Sequence, residues 1–139
     1  MTEAENVAPV TMTAYIAEFG VDMDGQRMDP EWLWSSVKSW MMHGGYVTAM
    51  FGREPVGKCE NIARSNRGVL ATVSALDLET SRRICAGVYK GLGAGISGAV
   101  VKKDPIAPHG LICGGTVVSV TLLDEPITYT ESITNSEEQ

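Results

Sequence analysis

The stretch GVYKGLGAGISG, residues 87–98, follows a short predicted helix and runs into the apolar Ala99-Val100-Val101. After Tyr89 it carries four glycines and one hydroxyl side chain, Ser97. Glycine at this density permits close backbone approach and unusual dihedral angles, which phosphate loops and oxyanion sites require. The phosphate-loop ending GK[ST] and the GxGxxG spacing are both missing from it. The glycines therefore favour a bend or tight packing in a barrel over a nucleotide site.

The segments at the start of the chain predict one strand and one helix. VTMTAYIAEF, residues 10–19, has the β-branched and apolar character of a first strand. Asp29-Pro30-Glu31 predicts a helix start, with a capping carboxylate, a proline at the first position and an acid in the first turn. Gly44-Gly45 predicts its end. An apolar stripe at helical spacing indicates the buried face: Leu33, Val37, Trp40 and Met41.

Three short strands are predicted in the middle of the chain. GYVTAMF, residues 45–51, and PVGKCENIA, residues 55–63, form the first two. Ser65-Asn66-Arg67-Gly68 predicts a hairpin turn, and VLATVSALD, residues 69–77, follows it as the third strand.

The second half predicts a short helix and two more strands. Asp77 is the expected cap of a helix from about Leu78 to Ala86, which Gly87 closes. The glycine-rich stretch is expected to be a loop that feeds a strand ending at Lys102. GGTVVSVTLLDEP, residues 114–126, is the expected last strand. Six or seven strands with two helices predict the α+β class, a mixed, mostly antiparallel β-barrel with flanking helices.

Length and charge narrow the classes of function. A chain of 139 residues with 44% hydrophobic and 20% charged residues is typical of one folded domain. The net charge of −6 disfavours nucleic-acid binding, and the basic pairs Arg82-Arg83 and Lys102-Lys103 are expected to be solvated surface. No apolar run approaches the roughly 20 residues that span a bilayer, so no membrane partner is expected.

The chain is expected to divide into three parts. Residues 1–9 form an acidic N-terminal arm, residues 10–127 the barrel domain, and residues 128–139 an acidic tail. The tail is expected to be flexible or held only by a partner. An acidic N-terminus fits neither a secretory signal nor a transit peptide. Cys59, Cys85 and Cys113 lack CxxC spacing, which predicts free thiols in a reducing compartment and no zinc site.

Residues for catalysis or metal binding are few. His43 is expected at a helix end as a structural histidine, and His109 in an exposed turn. Ser97 could pair with either histidine, although lone Ser and His residues seldom form a site. A carboxylate cluster, Asp22, Asp24 and Asp29, starts like a calcium loop but lacks the later ligands, so a polar turn with a helix cap is expected. No cofactor and no metal are predicted.

Five motifs in order resemble the phage prohead (capsid maturation) serine proteases, which share a barrel fold with the herpesvirus capsid protease. The resemblance covers about Ala14 to Pro126. GVYKGLGAGISG is similar to the family's G-V-Y-K-G-F-S-I-G, and ICGGTVVSVTLLDEP to its I-x-G-G-x-x-x-E-V-S-L-V-D-x-P. The other three matching stretches are GVDMDGQRMDPEWL, HGGYVTAMFGREPVGK and RGVLATVSALD. The resemblance implies a capsid-protease-like barrel.

The three catalytic positions of that family hold other residues here. Aligned without gaps, the family's histidine matches Phe51, its nucleophilic serine matches Gly93, and its acidic position matches Ser119. Phenylalanine accepts no proton, glycine carries no nucleophile, and a hydroxyl does not stabilise an imidazolium as a carboxylate does. The resemblance thus implies a family member that has lost its catalysis.

A shift of four residues offers an alternative alignment. It would place Ser97 at the nucleophile position and make His43 the candidate catalytic histidine. The shift would then lose the gapless match from Gly87 to Gly91. It would also leave Phe51 facing the site. The alternative is then an active prohead maturation protease, or a regulator of one, that acts on capsid or scaffold protein.

The main expectation is a structural protein of the phage particle. A protease-derived barrel without catalysis would serve as a decoration or minor component of the capsid, assembled in the host cytoplasm and retained in the virion. Its expected partners are the major capsid protein or other capsid subunits, with self-association possible. The acidic surface suits the outer shell, away from packaged DNA.

Overall fold

The computed structural model describes residues 10–49 and 52–124. It contains two helices and seven strands, and the strands form one sheet. In chain order the elements are β1 (Thr11–Glu18), β2 (Arg27–Met28), α1 (Pro30–Met42), β3 (Tyr46–Ala49), β4 (Pro55–Arg64), β5 (Gly68–Ala75), α2 (Leu78–Cys85), β6 (Gly91–Lys102) and β7 (Leu111–Leu123).

The sheet is mixed and nearly closes into a barrel. β1, β5, β4 and β3 pair antiparallel in that order, and β3 then pairs parallel with the C-terminal half of β7. β2 pairs parallel with the start of β7 on the same edge, and β6 pairs antiparallel along its other edge. β6 comes to lie beside β1, at a seam without a hydrogen-bonded ladder in the described residues. The α+β prediction is confirmed: the fold is a nearly closed, barrel-like sheet with two helices.

Helix α1 forms where its capping residues predict it. The Asp29 carboxylate accepts a hydrogen bond from the amide of Trp32, and Pro30 occupies the first turn. The helix ends at two glycines with positive φ, 122° at Gly44 and 62° at Gly45, angles that other residues adopt only with strain. Its predicted stripe is confirmed for Leu33, Val37 and Trp40, which are buried, while Met41 is half-buried.

Helix α2 also follows its prediction. The Asp77 carboxylate accepts from the amide of Thr80 at 2.7 Å, and Gly87 follows the helix with a φ of 75°. Thr80 is the buried residue of this helix, so α2 covers the sheet only lightly. Neither helix of the described chain has the length and apolar character that crossing a membrane requires.

The core lies inside the barrel-like sheet, and α1 packs over it. Residues that alternate along the strands point inward, as the two-residue period of a strand requires. The fully enclosed members include Ile16, Val47, Val69, Val73, Leu92, Val120 and Leu122 together with Leu33 and Val37 of α1.

The predicted loop at residues 87–98 is wrong for most of its length. β6 begins at Gly91 and pairs with β7 through Lys102, interrupted by register shifts and by a positive φ of 66° at Gly98. The strand forms because Leu92 is fully buried, while Ala94 and Ile96 pack against the core. Gly93 and Gly95 are two residues apart on one side of the strand, where they leave room for Leu123 and Ser119 of β7. The alternative prediction of tight barrel packing describes these glycines better.

Two smaller predictions also change. The polar turn expected around Asp22, Asp24 and Asp29 contains β2, whose two residues pair with Leu111 and Ile112. The last strand begins at Leu111, three residues earlier than expected. The predicted arm at residues 1–9, the tail at 128–139 and the domain end at residue 127 lie outside the described residues.

Candidate functional site

The outer face of β6, β7 and β3 carries the positions that the family resemblance singles out. Gly93 of β6 lies opposite Thr121 of β7, which in turn lies opposite Thr48 of β3. Ser119 of β7 lies opposite Gly95. The neighbours Leu92 and Val120 are buried in the core, so Gly93 and Ser119 fall on the opposite, outer side of the sheet.

Gly93 and Ser119 are diagonal neighbours on this face. Such positions lie about 7–8 Å apart between antiparallel strands, within reach of long side chains. A nucleophile at the first and an acidic group at the second would therefore share one face of the sheet. Phe51, the position that matches the histidine, lies outside the described residues.

The side chains present on this face offer hydroxyl groups. The Thr48 and Thr121 hydroxyl oxygens lie 3.3 Å apart and share a hydrogen bond. A β-carbon built at Gly93 would lie 3.1 Å from Cδ1 of Leu123, and one at Gly95 would contact the Ser119 hydroxyl. The space above the two glycines is thus partly taken by side chains of β7, and the face is suited to packing.

Gly93 also borders a cavity of about 220 Å³ at the seam between β1 and β6. Ile16, Ala17, Met28 and Ala94 give it apolar walls, and Asp22, Met23 and Asp24 lie at its edge. The Asp22 carboxylate accepts hydrogen bonds from the amides of Asp24 at 2.9 Å and Gln26 at 3.0 Å. Burial raises the pKa of Asp22 above its ordinary value, and the amide hydrogen bonds oppose that rise. This carboxylate holds the turn together, as predicted for the aspartate cluster.

The two histidines are both exposed and both bound to backbone carbonyls. His43 caps the end of α1, as predicted, and its Nδ1 donates to the Ser39 carbonyl at 2.7 Å. His109 lies in a turn, as predicted, and its Nδ1 donates to the Asp24 carbonyl. Among the residues described, neither ring has a serine hydroxyl as its hydrogen-bond partner.

Ser97 is an exposed residue of β6. It lies opposite Thr116 of β7, and Thr116 borders a groove of about 390 Å³ that His43 also lines. The structure therefore places Ser97 one strand away from that groove. No hydrogen bond joins its hydroxyl to either imidazole in the described part of the chain.

A larger groove, of about 520 Å³, lies where β6 ends, and the sequence did not predict it. We call it the basic groove: Val101, Lys102, Lys103, Asp104, Ala107, Pro108, His109 and Gly110 line it. Lys102-Lys103 is exposed, as expected of a basic pair on solvated surface, and no sequence motif indicates the groove beside it. The groove arises from tertiary structure, since Arg27 of β2 fixes Asp104 and thereby the turn that forms one wall.

No site for a metal ion is evident in the described ranges. They hold no group of three or more His, Cys, Asp or Glu side chains arranged as ligands. Cys59, Cys85 and Cys113 are free, as predicted. Cys59 of β4 is buried in the core, and burial raises the pKa of its thiol, which keeps it protonated at neutral pH.

Comparison of the chain with protein-family models, with curated proteins and with solved structures finds no match. The relation to the prohead proteases therefore stays a prediction from the sequence motifs.

Proposed function

We propose that this protein is a catalytically inactive relative of the prohead proteases that serves as a structural component of a phage capsid. In this proposal it binds the major capsid protein or a neighbouring capsid subunit, as a decoration or minor capsid protein. It acts through its surface.

The observation that carries the proposal is the setting of Gly93. This position, which matches the family's nucleophile, lies in a strand ladder opposite Thr121 and diagonally from Ser119, which matches the acidic position. The two positions that the alignment selects therefore lie near each other on one face, and their residues lack the groups that peptide hydrolysis requires. Leu123 and Ser119 take up part of the space above Gly93 and Gly95.

The surface composition is consistent with a binding role. Ten large hydrophobic residues are exposed in the described chain, and several lie on strands or at their ends, among them Tyr46, Val100, Val101 and Val118. Clusters of exposed apolar side chains are typical of protein–protein contact surfaces. The net charge of −6 favours a position away from packaged DNA.

The test is whether the protein is part of the mature particle. Particles are purified from cells that express the tagged chain, washed at high salt, and analysed by quantitative mass spectrometry. We expect the chain to remain bound at a copy number comparable to that of the major capsid protein. Its loss from mature particles, with presence in precursor particles only, would contradict the proposal.

A second measurement addresses the alternative of an active protease. The purified protein is treated with a serine-reactive phosphonate, alongside the Ser97→Ala and His43→Ala variants. We expect no labelling of the unaltered protein. Labelling that disappears in both variants would identify Ser97 and His43 as a working pair and overturn the proposal of an inactive protein.

A further inference from the structure

The basic groove lies beside an edge of β6 that pairs with no described strand. Its lysine side chains form no ion pair with any described residue. Residues 97–102 of β6 are all exposed, and in the described chain their ladder partner is β7 alone. Val100 and Val101 keep 55% and 44% of their surface exposed, and Ile106 next to the groove keeps 63%. A strand edge with exposed β-branched residues is a surface to which an extended segment can be added.

The charges around this groove are positive. Lys102 and Lys103 line it and form no ion pair with any described residue. The carboxylate of Asp104 is occupied, because Arg27 donates to both of its oxygens, at 2.7 and 2.8 Å. The backbone amides of Ile106 and Ala107 donate to it as well. An acidic segment therefore complements the groove.

The chain itself supplies a segment of that kind. The sequence after Asp124, EPITYTESITNSEEQ, contains four glutamates and no lysine or arginine. Its apolar residues alternate with polar ones at Ile127, Tyr129 and Ile133, with Glu131 between them, which is the period of a strand. We propose that residues 125–139 of a second copy of this chain bind in the basic groove and along the edge of β6.

The geometry favours a second copy over the same chain. Gly91 lies opposite Leu123 and Lys102 opposite Leu111, so the groove and the end of β7 lie at opposite ends of a 12-residue strand, roughly 40 Å apart. Ile127 and Tyr129 lie within six residues of Leu123 and reach at most about 20 Å from it. Two of the three apolar residues of the segment can thus reach such a groove only on another copy, in a head-to-tail contact. This inference does not depend on the proposed capsid role.

The experiment reverses the charges on each side of the contact in the full-length chain. The groove variant carries Lys102→Glu and Lys103→Glu, and the tail variant carries Glu131→Lys, Glu137→Lys and Glu138→Lys. Sedimentation velocity at low salt measures self-association over a range of concentrations. We expect the unaltered protein to self-associate reversibly. The dissociation constant of self-association is expected to rise at least about tenfold in each variant alone.

Mixing the two variants is the decisive measurement. An acidic tail then meets a basic groove, and a basic tail meets an acidic groove, so association between the variants is expected to return. Arg82→Glu with Arg83→Glu is the matched control, because it changes the net charge equally on exposed residues of α2 and leaves the groove intact. Circular dichroism of each variant verifies that it is folded.

Three results would overturn the inference. The first is a monomer at all concentrations at low salt. The second is self-association that both charge reversals leave unchanged. The third is a failure of the mixed variants to associate, although each of them is folded.

Discussion

Asp104 holds together the turn that shapes the basic groove. Its carboxylate accepts two hydrogen bonds from the Arg27 guanidinium and two from the amides of Ile106 and Ala107. A guanidinium fork on a carboxylate fixes direction as well as distance. One side chain thus joins β2 to the segment between β6 and β7.

The stability of the protein is expected to depend on the ionisation of Asp104. The Arg27 guanidinium and the two amides hold the pKa of this carboxyl well below its ordinary value of about 3.9. A lowered folded-state pKa contributes stability above the unfolded-state pKa, and the contribution is lost as the pH falls through the folded-state pKa. We expect Asp104→Asn to be less stable than the unaltered protein at pH 7, with the difference shrinking below about pH 4.

Urea unfolding of both proteins at pH values from 7 down to about 2.5 measures this difference. Arg83→Gln serves as a control, because it removes an exposed i,i+4 ion pair with Glu79 and should change stability little. A difference between Asp104→Asn and the unaltered protein that stays constant down to the lowest pH would contradict the prediction.

At the scale of the element, α1 is attached to the sheet by polar as well as apolar contacts. The indole of Trp32 donates to the carbonyl of Gly115 at 3.0 Å, and the Ser36 hydroxyl accepts from the amide of Val117 at 3.0 Å. Both partners lie in β7. These two hydrogen bonds hold the first half of α1 against β7.

Replacement of the capping residue Asp29 tests how much the start of α1 contributes to the stability of the protein. Asp29→Ala leaves the Trp32 amide without its side-chain acceptor, and we expect it to lower the free energy of unfolding by about 1 kcal/mol. Asp29→Asn keeps an acceptor at the cap and should recover most of the loss. Thermal and urea unfolding of the two variants measure it, and equal losses in both would show that the cap hydrogen bond is not the cause.

Elements with local signals were predictable from the sequence, and those with distant partners were not. Asp29-Pro30 and Gly44-Gly45 mark the two ends of α1 within the helix itself. β6 lacks such a signal, because a run of glycines is typical of a loop and its strand form depends on pairing with β7.

The candidate site also has a part that was predictable from local sequence and a part that was not. The motif alignment selected Gly93 and Ser119, and the structure places both on one face of the sheet. The basic groove was not predictable, because Arg27 and Asp104 are separated by most of the chain and no motif links them.

For the molecule as a whole, the sheet is unevenly protected. β5 pairs with β1 on one edge and β4 on the other, and three of its residues, Val69, Ala71 and Val73, are almost fully buried. The C-terminal half of β6 has one ladder neighbour and is exposed. Regions with fewer neighbours open at lower free-energy cost.

Hydrogen exchange followed by mass spectrometry is expected to show this gradient. Amides of residues 69–73 should exchange slowest and those of residues 97–102 fastest among the strands. The measurement belongs at high salt and low protein concentration, where charge-dependent self-association is weakened. Equal protection of the two segments would mean that a further contact covers the edge of β6.

β7 has more strand partners than any other element described, since it pairs with β2, β3 and β6 and also receives α1. The ribosome synthesises β7 after all of these partners. Before residue 111 has been synthesised, β1, β5, β4 and β3 can pair with one another. At that stage α1 cannot pack against β7, and β6 has no strand to pair with. The barrel can close only after the thirteen residues of β7 have left the ribosome. Until that step, the growing chain carries the apolar surface that chaperones bind.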